Sequence, residues 1–256
     1  MALASSAATL RTIPCLKDNY AYLLRDPASG ETLLIDAPEE GPIREAVEDL
    51  GGRLDKLILT HHHHDHQAAA EPLRAAYGCQ VFGPAAEADK LPPLDRALEP
   101  DAEIPFAGGF LWTIATGGHT LGHLAYHWPK GGAVFTGDAL FSAGCGRLFE
   151  GDAAMAFAGL QRLKALPPET RICFGHEYTA TNLAFAATAE PENEAARAYL
   201  AEVKASGRST PSTLARELAV NPFLRADRPE IAAALGLSGA PEVEVFAELR
   251  RRRDKF

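Results

Sequence analysis

The chain has 256 residues, 46% of them hydrophobic and 23% charged, which excludes a disordered, collagen-like or fibrous protein and fits one large or two small domains. Lys and Arg number 25 against 34 Asp and Glu, a formal charge of −9 that disfavours binding to nucleic acid or to an anionic membrane. No apolar run approaches the roughly 18–20 residues of a membrane span, and the opening MALASSAATLRTIPC lacks a basic segment followed by a long apolar core, so no secretory signal is expected.

Residues 20–25 (YAYLLR) and 32–36 (TLLID) read as short strands, with DPASGE between them as a hairpin turn. Residues 42–50 have helical spacing: Pro42 suits a first turn, and Ile43, Ala46, Val47 and Leu50 share one face before Gly51 and Gly52. KLILT is a buried-strand run that ends directly at His61. A helix is predicted over 67–77 and a strand at VFGP. Residues 84–105, rich in Pro, Ala and acid, are expected to be loop and short helix.

The run FLWTIAT leads to Gly117, Gly118 and His119. LAYHW and AVFTGD are two further strands around a PKGG turn, the second ending at Asp138. A helix follows over 152–165, and RICFGH is a strand ending at His176. After Tyr178 strand-like runs stop and Ala, Glu, Arg and Leu dominate. Residues 1–178 are therefore expected to form an α+β domain and 179–256 a helical one, with NPFLR (221–225) as an interruption between helices. Cys15, Cys79, Cys145 and Cys173 lie far apart and make no C-x-x-C pair, so reduced, buried thiols in a cytoplasmic protein are expected.

The strongest chemical signal is THHHHDH at 60–66, which contains His61-x-His63-x-Asp65-His66. Neutral imidazole and carboxylate suit zinc, iron and manganese. In an extended segment His61, His63 and Asp65 would point to one side and His66 elsewhere, so a single loop could serve two neighbouring ions. His119, Asp138 and His176 each end or closely follow an apolar strand, as His61 does, and ligands in α/β architectures gather at the carboxyl ends of strands. The candidates are thus five His and two Asp, enough for two metals sharing one carboxylate. His62 and His64 are expected to point away, and His123 and His127 to be structural. Four consecutive arginines, 250–253, stand in an otherwise acidic chain. They can serve a helix C-terminus or bind anions.

These blocks resemble the metallo-β-lactamase superfamily and, within it, the glyoxalase II (hydroxyacylglutathione hydrolase) family. PCLKDNYAYLL, TGGHTLGH, FTGDALFSAGCGRLFEG, CFGHEYTATNLAFA, NPFLR and RRRRDKF carry the resemblance over nearly the whole chain. It implies an αββα sandwich followed by a helical, glutathione-binding domain. It implies that His61, His63 and His119 bind one divalent metal, that Asp65, His66 and His176 bind a second, and that Asp138 bridges them. Asp65 and Asp138 are then the catalytic carboxylates, and a hydroxide between the metals attacks the thioester of S-D-lactoylglutathione. Zinc is the first expectation, with iron or manganese as alternatives. Arg147, Tyr178, Arg250 and Arg253 match glutathione-contacting positions, and Asn182 is a weaker match. His64 stands where an aromatic is common, TGGH replaces TPGH and could loosen that loop, and Phe149 replaces a Tyr that bonds glutathione in some members. The resemblance implies a cytoplasmic monomer acting in methylglyoxal detoxification, without nucleic acid or membrane partners. A mononuclear-iron glutathione persulfide dioxygenase and an inactive metal-binding module of the same fold are the alternatives.

Overall fold

The computed structural model describes residues 8–256, so the first seven residues of the segment read for a leader lie outside it. The chain divides into two compact units, Met1–Ala115 with Gly122–Gly137, and Thr116–Leu121 with Asp138–Phe256.

The first unit holds β1 (Thr9–Cys15), β2 (Asn19–Arg25), β3 (Thr32–Ile35), β4 (Lys56–Ile58), β5 (Gln80–Pro84) and β6 (Arg96–Leu98) in one sheet, in that order. The first three strands are antiparallel, joined by tight turns. From β3 to β6 the pairing is parallel, and the helices α1 (Glu40–Glu48) and α3 (Ala70–Tyr77) provide crossovers of the length parallel strands need. Ile43, Val47 and Leu73 of these helices pack with Leu23, Leu34 and Leu57 of the sheet. The opposite face carries Tyr22, whose ring lies 5.5 Å from that of Phe135. Phe135 belongs to an antiparallel set in the order β7 (Glu103–Phe106), β8 (Gly109–Ala115), β9 (Leu124–Trp128), β10 (Ala133–Gly137). The hydroxyl of Tyr126 on β9 donates to the carbonyl of Leu59 at 2.6 Å, tying the two strand layers together beside the histidine-rich loop.

Three parts of this unit differ from the sequence reading. β1 precedes the first expected strand. Residues 84–105 contain β6 and most of β7 rather than only loop and a short helix. β6 is three residues long and is steadied by Asp95, whose carboxylate accepts from the Val81 amide and the Arg74 guanidinium. β7 contains Pro105, which a strand tolerates only at a sheet edge, and β7 is the last strand of its sheet. Finally, His64–Gln67 is a helical turn, α2. The alternation expected of an extended segment therefore applies to His61 and His63 but not to Asp65 and His66.

The second unit begins after β10 with a tight hairpin, β11 (Leu140–Phe141) and β12 (Gly144–Cys145). Helix α4 (Ala153–Lys164) is capped by Asp152, which accepts from the Met155 amide at 2.8 Å. β13 (Arg171–Phe174) precedes α5 (Thr179–Ala189) and α6 (Glu194–Ser206). A two-residue strand, β14 (Ser212–Thr213), pairs with β13, so the region after Tyr178 is not wholly helical. Then come α7 (Leu214–Val220), a 3₁₀ turn at Pro222–Leu224, α8 (Pro229–Leu235) and α9 (Glu242–Arg253). NPFLR is that 3₁₀ turn. Asn221 caps it by accepting from the Phe223 amide, while Phe223 packs against Phe185 and Phe246. All four cysteines are free and buried, as the sequence implied. Burial raises each thiol, with Cys15 and Cys173 pushed up to about 12. Among the described residues no helix is long and apolar enough to cross a membrane.

Candidate metal centre and substrate-binding residues

In the first unit the histidine-rich loop leaves β4 and is held by Asp36, the residue that closes β3. Asp36 has a left-handed backbone (φ 59°) and is buried. Its carboxylate accepts from the Thr60 amide (2.8 Å), the Thr60 hydroxyl (2.9 Å) and His66 Nδ1 (2.9 Å). Because a carboxylate only accepts, His66 carries its proton on Nδ1, which leaves Nε2 as the lone-pair nitrogen. The Thr60 hydroxyl in turn accepts from His61 Nδ1 at 3.0 Å, fixing the same tautomer on His61. His61 Nε2 and His63 Nδ1 then stand 3.1 Å apart. Two nitrogens bound to one tetrahedral ion at about 2.0–2.1 Å are separated by roughly 3.3 Å, so this pair fits one edge of such a site. Asn19 donates to both the carbonyl and the Oδ2 of Asp65 at 3.0 Å, orienting that carboxylate.

The neighbouring histidines are occupied elsewhere. His64 is exposed. His62 turns to Glu87, a buried residue whose carboxylate takes the His62 amide, the His62 ring and the Gly122 amide, each at 2.8 Å. His123 stacks on His61 with ring centroids 4.9 Å apart. His127 is half-buried on β9, and burial lowers its pKa.

In the second unit Asp138 sits between two imidazoles. Its Oδ2 lies 3.4 Å from His119 Nε2 and 3.4 Å from His176 Nε2. His119 Nδ1 donates to the Arg147 carbonyl at 2.8 Å, so its Nε2 faces the Asp138 carboxylate with a lone pair. Negative oxygen against lone-pair nitrogen is repulsive unless a cation or a second proton lies between them. The donor set of this unit, like that of the first, therefore suits a divalent ion. Close packing surrounds it. A Cβ at Gly146 would come within 1.9 Å of the Asp138 carbonyl oxygen and 3.1 Å of His119 Nδ1. The Gly117–Gly118 loop is packed against α4 and hydrogen-bonded. Gly118 (φ 133°) lies against Ala156 of α4, where a Cβ would fall 2.6 Å from the alanine methyl, and the Gly118 amide and carbonyl are bonded to Thr120 and Gly151.

The residues assigned to glutathione have distinct surroundings. Tyr178 is exposed and stacks on His176, 4.9 Å between centroids and nearly parallel. Arg147 is exposed, weakly joined to Asp254 at 3.4 Å, with its guanidinium over the Phe149 ring. Phe149 is 60% exposed, its ring edge-on to His119. Of the four arginines ending α9, Arg251 and Arg252 pair with Glu248. Arg253 donates to Asn182 Oδ1 at 3.2 and 3.3 Å. Arg250 is only 6% exposed and donates to the Cys145 carbonyl at 2.6 Å and to Asp254 at 2.8 Å. Its guanidinium is thus engaged by the protein itself.

Sequence reasoning passed over Asp36, Glu87 and Asn19. The signal for Asp36 was present: it ends an apolar strand, as Asp138 does. Glu87 and Asn19 carry no such mark.

Residues 17–176 match the metallo-β-lactamase superfamily model, and residues 177–256 match the model of the hydroxyacylglutathione hydrolase C-terminus. A hydroxyacylglutathione hydrolase of Cereibacter sphaeroides is 49% identical over 251 residues, covering 96% of this chain and 98% of its own. The chain belongs to the hydroxyacylglutathione hydrolase family. Its fold is the metallo-β-lactamase αββα sandwich with a helical C-terminal region. Among solved structures, ETHE1 from Myxococcus xanthus aligns with a TM-score of 0.69 at 25% identity, over 95% of this chain and 90% of that one. TTHA1623 in a di-iron-bound form aligns at 0.62 and 27% identity, over 84% and 99%. Family and donor residues together make this a metal-dependent hydrolase, with His and Asp clusters that bind divalent metal.

Proposed function

We propose that this enzyme hydrolyses S-(2-hydroxyacyl)glutathione thioesters, chiefly S-D-lactoylglutathione to D-lactate and glutathione. The observation that carries the reading is the match of residues 177–256 to the hydroxyacylglutathione hydrolase C-terminus, which adds Tyr178 and Arg253 to a metal-binding hydrolase framework. The domain reading goes with it: 1–178 supply the chemistry and 179–256 the recognition of glutathione.

His61, His63 and His119 would hold one ion, Asp65, His66 and His176 the other, with Asp138 shared. These are chemically coherent donor sets. A divalent ion in such a set supplies an acidified water and a Lewis acid for a carbonyl. The chain's own part is to keep each donor in the right tautomer and direction: Asp36 for His66, Thr60 for His61, Asn19 for Asp65, and the Arg147 carbonyl for His119. Glutathione carries two carboxylates, and Arg147, Arg250 and Arg253 are the cations proposed to meet them, with Tyr178 alongside. Arg250 also holds the Cys145–Gly146 backbone. The leaving thiolate has an ordinary pKa of about 8.5, so no strong general acid is required.

Zinc is the first choice of metal. Iron stays close behind, because a 27% identical relative is known in a di-iron form, and manganese suits the same donors. The enzyme works as a cytoplasmic monomer in methylglyoxal detoxification, a setting that suits four reduced thiols. The test is hydrolysis of S-D-lactoylglutathione by purified protein before and after chelation and metal return. Turnover that disappears with the chelator and returns with metal supports the reading. A folded, metal-loaded protein that leaves the thioester intact defeats it.

A further inference from the structure

Asp138 and Arg147 bound one short segment of the second unit. Asp138 is the proposed shared ligand, and the Arg147 carbonyl orients His119. Between them runs the β11–β12 hairpin. Its strands bond to each other, the Gly146 amide donates to the Ala139 carbonyl at 3.3 Å, and further bonds along residues 141–146 come from side chains of the C-terminal region. Asn221 Nδ2 donates to the carbonyls of Phe141 (3.1 Å) and Gly144 (3.0 Å). Asn182 Nδ2 donates to the Ser142 carbonyl (3.0 Å), and Arg250 to the carbonyls of Cys145 (2.6 Å) and Gly146 (3.5 Å).

Glu217 on α7 is the hub of this arrangement. It is fully buried. Its Oε1 accepts from the hydroxyls of Ser142 (2.7 Å) and Ser212 (2.5 Å). Its Oε2 accepts from the Ala143 amide (2.7 Å) and Asn221 Nδ2 (3.2 Å). Four neutral donors thus satisfy a buried carboxyl. Ala143, at the hairpin tip, has a left-handed backbone (φ 55°) uncommon for a residue with a side chain, and its amide is one of the groups Glu217 holds. Asn182, which grips Ser142, also receives Arg253.

We infer that Glu217 is a positioning residue for the metal centre: through Ser142, Ala143 and Asn221 it fixes the hairpin whose ends place Asp138 and the carbonyl that orients His119. The inference rests on the ligand roles given to Asp138 and His119 under the proposed function. It makes the C-terminal helices part of the metal site's support as well as a surface for glutathione. Groups hydrogen-bonded directly to metal ligands typically contribute about 10–100-fold in metal affinity or activity, and Glu217, which acts through the backbone between two such positions, is expected at or below the lower end of that range.

The test compares wild type with Glu217→Ala, Glu217→Gln and Glu217→Asp, with Asp138→Ala as the ligand control. The readouts are zinc affinity by competition with a chromophoric chelator, the visible spectrum of the cobalt-substituted enzyme, and kcat and KM for S-D-lactoylglutathione. Each variant is assayed well below its own Tm. Glu217→Ala is expected to weaken metal binding by up to about 10-fold, alter the cobalt spectrum and lower kcat more than it raises KM. Glu217→Gln keeps an acceptor for the Ala143 and Asn221 donors, and its amide can donate to the two serine oxygens. It should restore affinity to within about threefold. Glu217→Asp draws the carboxylate back by about 1.5 Å and should fall between them, which keeps the test decisive if the alanine variant does not fold. Metal binding and a cobalt spectrum unchanged in Glu217→Ala, or in Glu217→Asp where alanine is unusable, would overturn the inference. If Asp138→Ala itself keeps its metal, the ligand assignment is what has failed, and the role of Glu217 in placing that ligand falls with it.

Discussion

The two halves of the donor set are supported in opposite ways. In the first unit the donors are contiguous, residues 61–66, and their support is local to one sheet: Asp36 at the end of β3 grips the loop that leaves the adjacent strand, β4. In the second unit His119, Asp138 and His176 are scattered, and the backbone around Asp138 is held by side chains more than forty residues further along, at 217, 221 and 250. A contiguous donor loop can be steadied by one carboxylate. A dispersed set needs a scaffold, and in this chain side chains of the C-terminal region bond the backbone that follows Asp138.

This contrast can be tested from its strongest point downward. Replacing Asp138 by Ala removes the carboxylate proposed to be shared and is expected to lower kcat by at least about 10³-fold, with loss of bound metal on elemental analysis. Should that variant turn over normally, the second unit's donors would not form a catalytic centre. Asp36→Ala probes the local support of the first unit. It strips His66 Nδ1 and the Thr60 amide of their acceptor, so metal affinity should fall about 10–100-fold and stability by about 1–3 kcal/mol for each buried group left unmatched. Chelator competition and chemical denaturation measure the two losses separately. An Asp36 variant that loses stability but binds metal normally would confine that carboxylate to folding.

Arg253→Ala acts on recognition rather than on the metal. It is expected to raise KM for glutathione thioesters about tenfold at nearly constant kcat, the loss of one charge-assisted hydrogen bond. A fall in kcat alone would place Arg253 with the support of the hairpin. The smallest effect concerns acid stability at the end of α9. Hydrogen bonds from Arg251 and then Arg252 hold Glu248 at about 2, below its ordinary value of 4.5. A carboxyl depressed on folding stabilises the protein above its unfolded pKa and loses that contribution as the pH falls. Thermal melts from pH 6 to pH 2 should therefore show wild type converging on Glu248→Gln below about pH 4.5. Parallel curves would mean that these exposed pairs add nothing.

The sequence made the first unit's chemistry readable because four donors sit within six residues after an apolar strand. It misjudged their geometry: the chain turns helical at His64, so Asp65 and His66 follow a helical turn rather than strand alternation. The dispersed donors were readable through one rule, polar residues at strand ends. The same rule would have found Asp36. The strands β6 and β7 escaped because three-residue and proline-bearing edge strands have too few alternating positions to outweigh a loop-like composition. Glu87 and Glu217 could not be read from the chain at all. Nothing local distinguishes a glutamate on a short helix that will be buried against serine hydroxyls and amides from one that will face water.

The four cysteines bear on how this enzyme endures its own chemistry. Its proposed substrate arises from a reactive dicarbonyl, which accessible thiolates attack, and its product is a free thiol, which attacks the disulfides that accessible thiols form. Cys15, Cys79, Cys145 and Cys173 are all buried, with thiols raised by burial, so at neutral pH they stay protonated and out of reach. The four thiols can therefore stand in a mixture of electrophile and glutathione without being alkylated or capped, which leaves exposed guanidinium and amino groups, Arg147 among them, as the groups such an electrophile can reach.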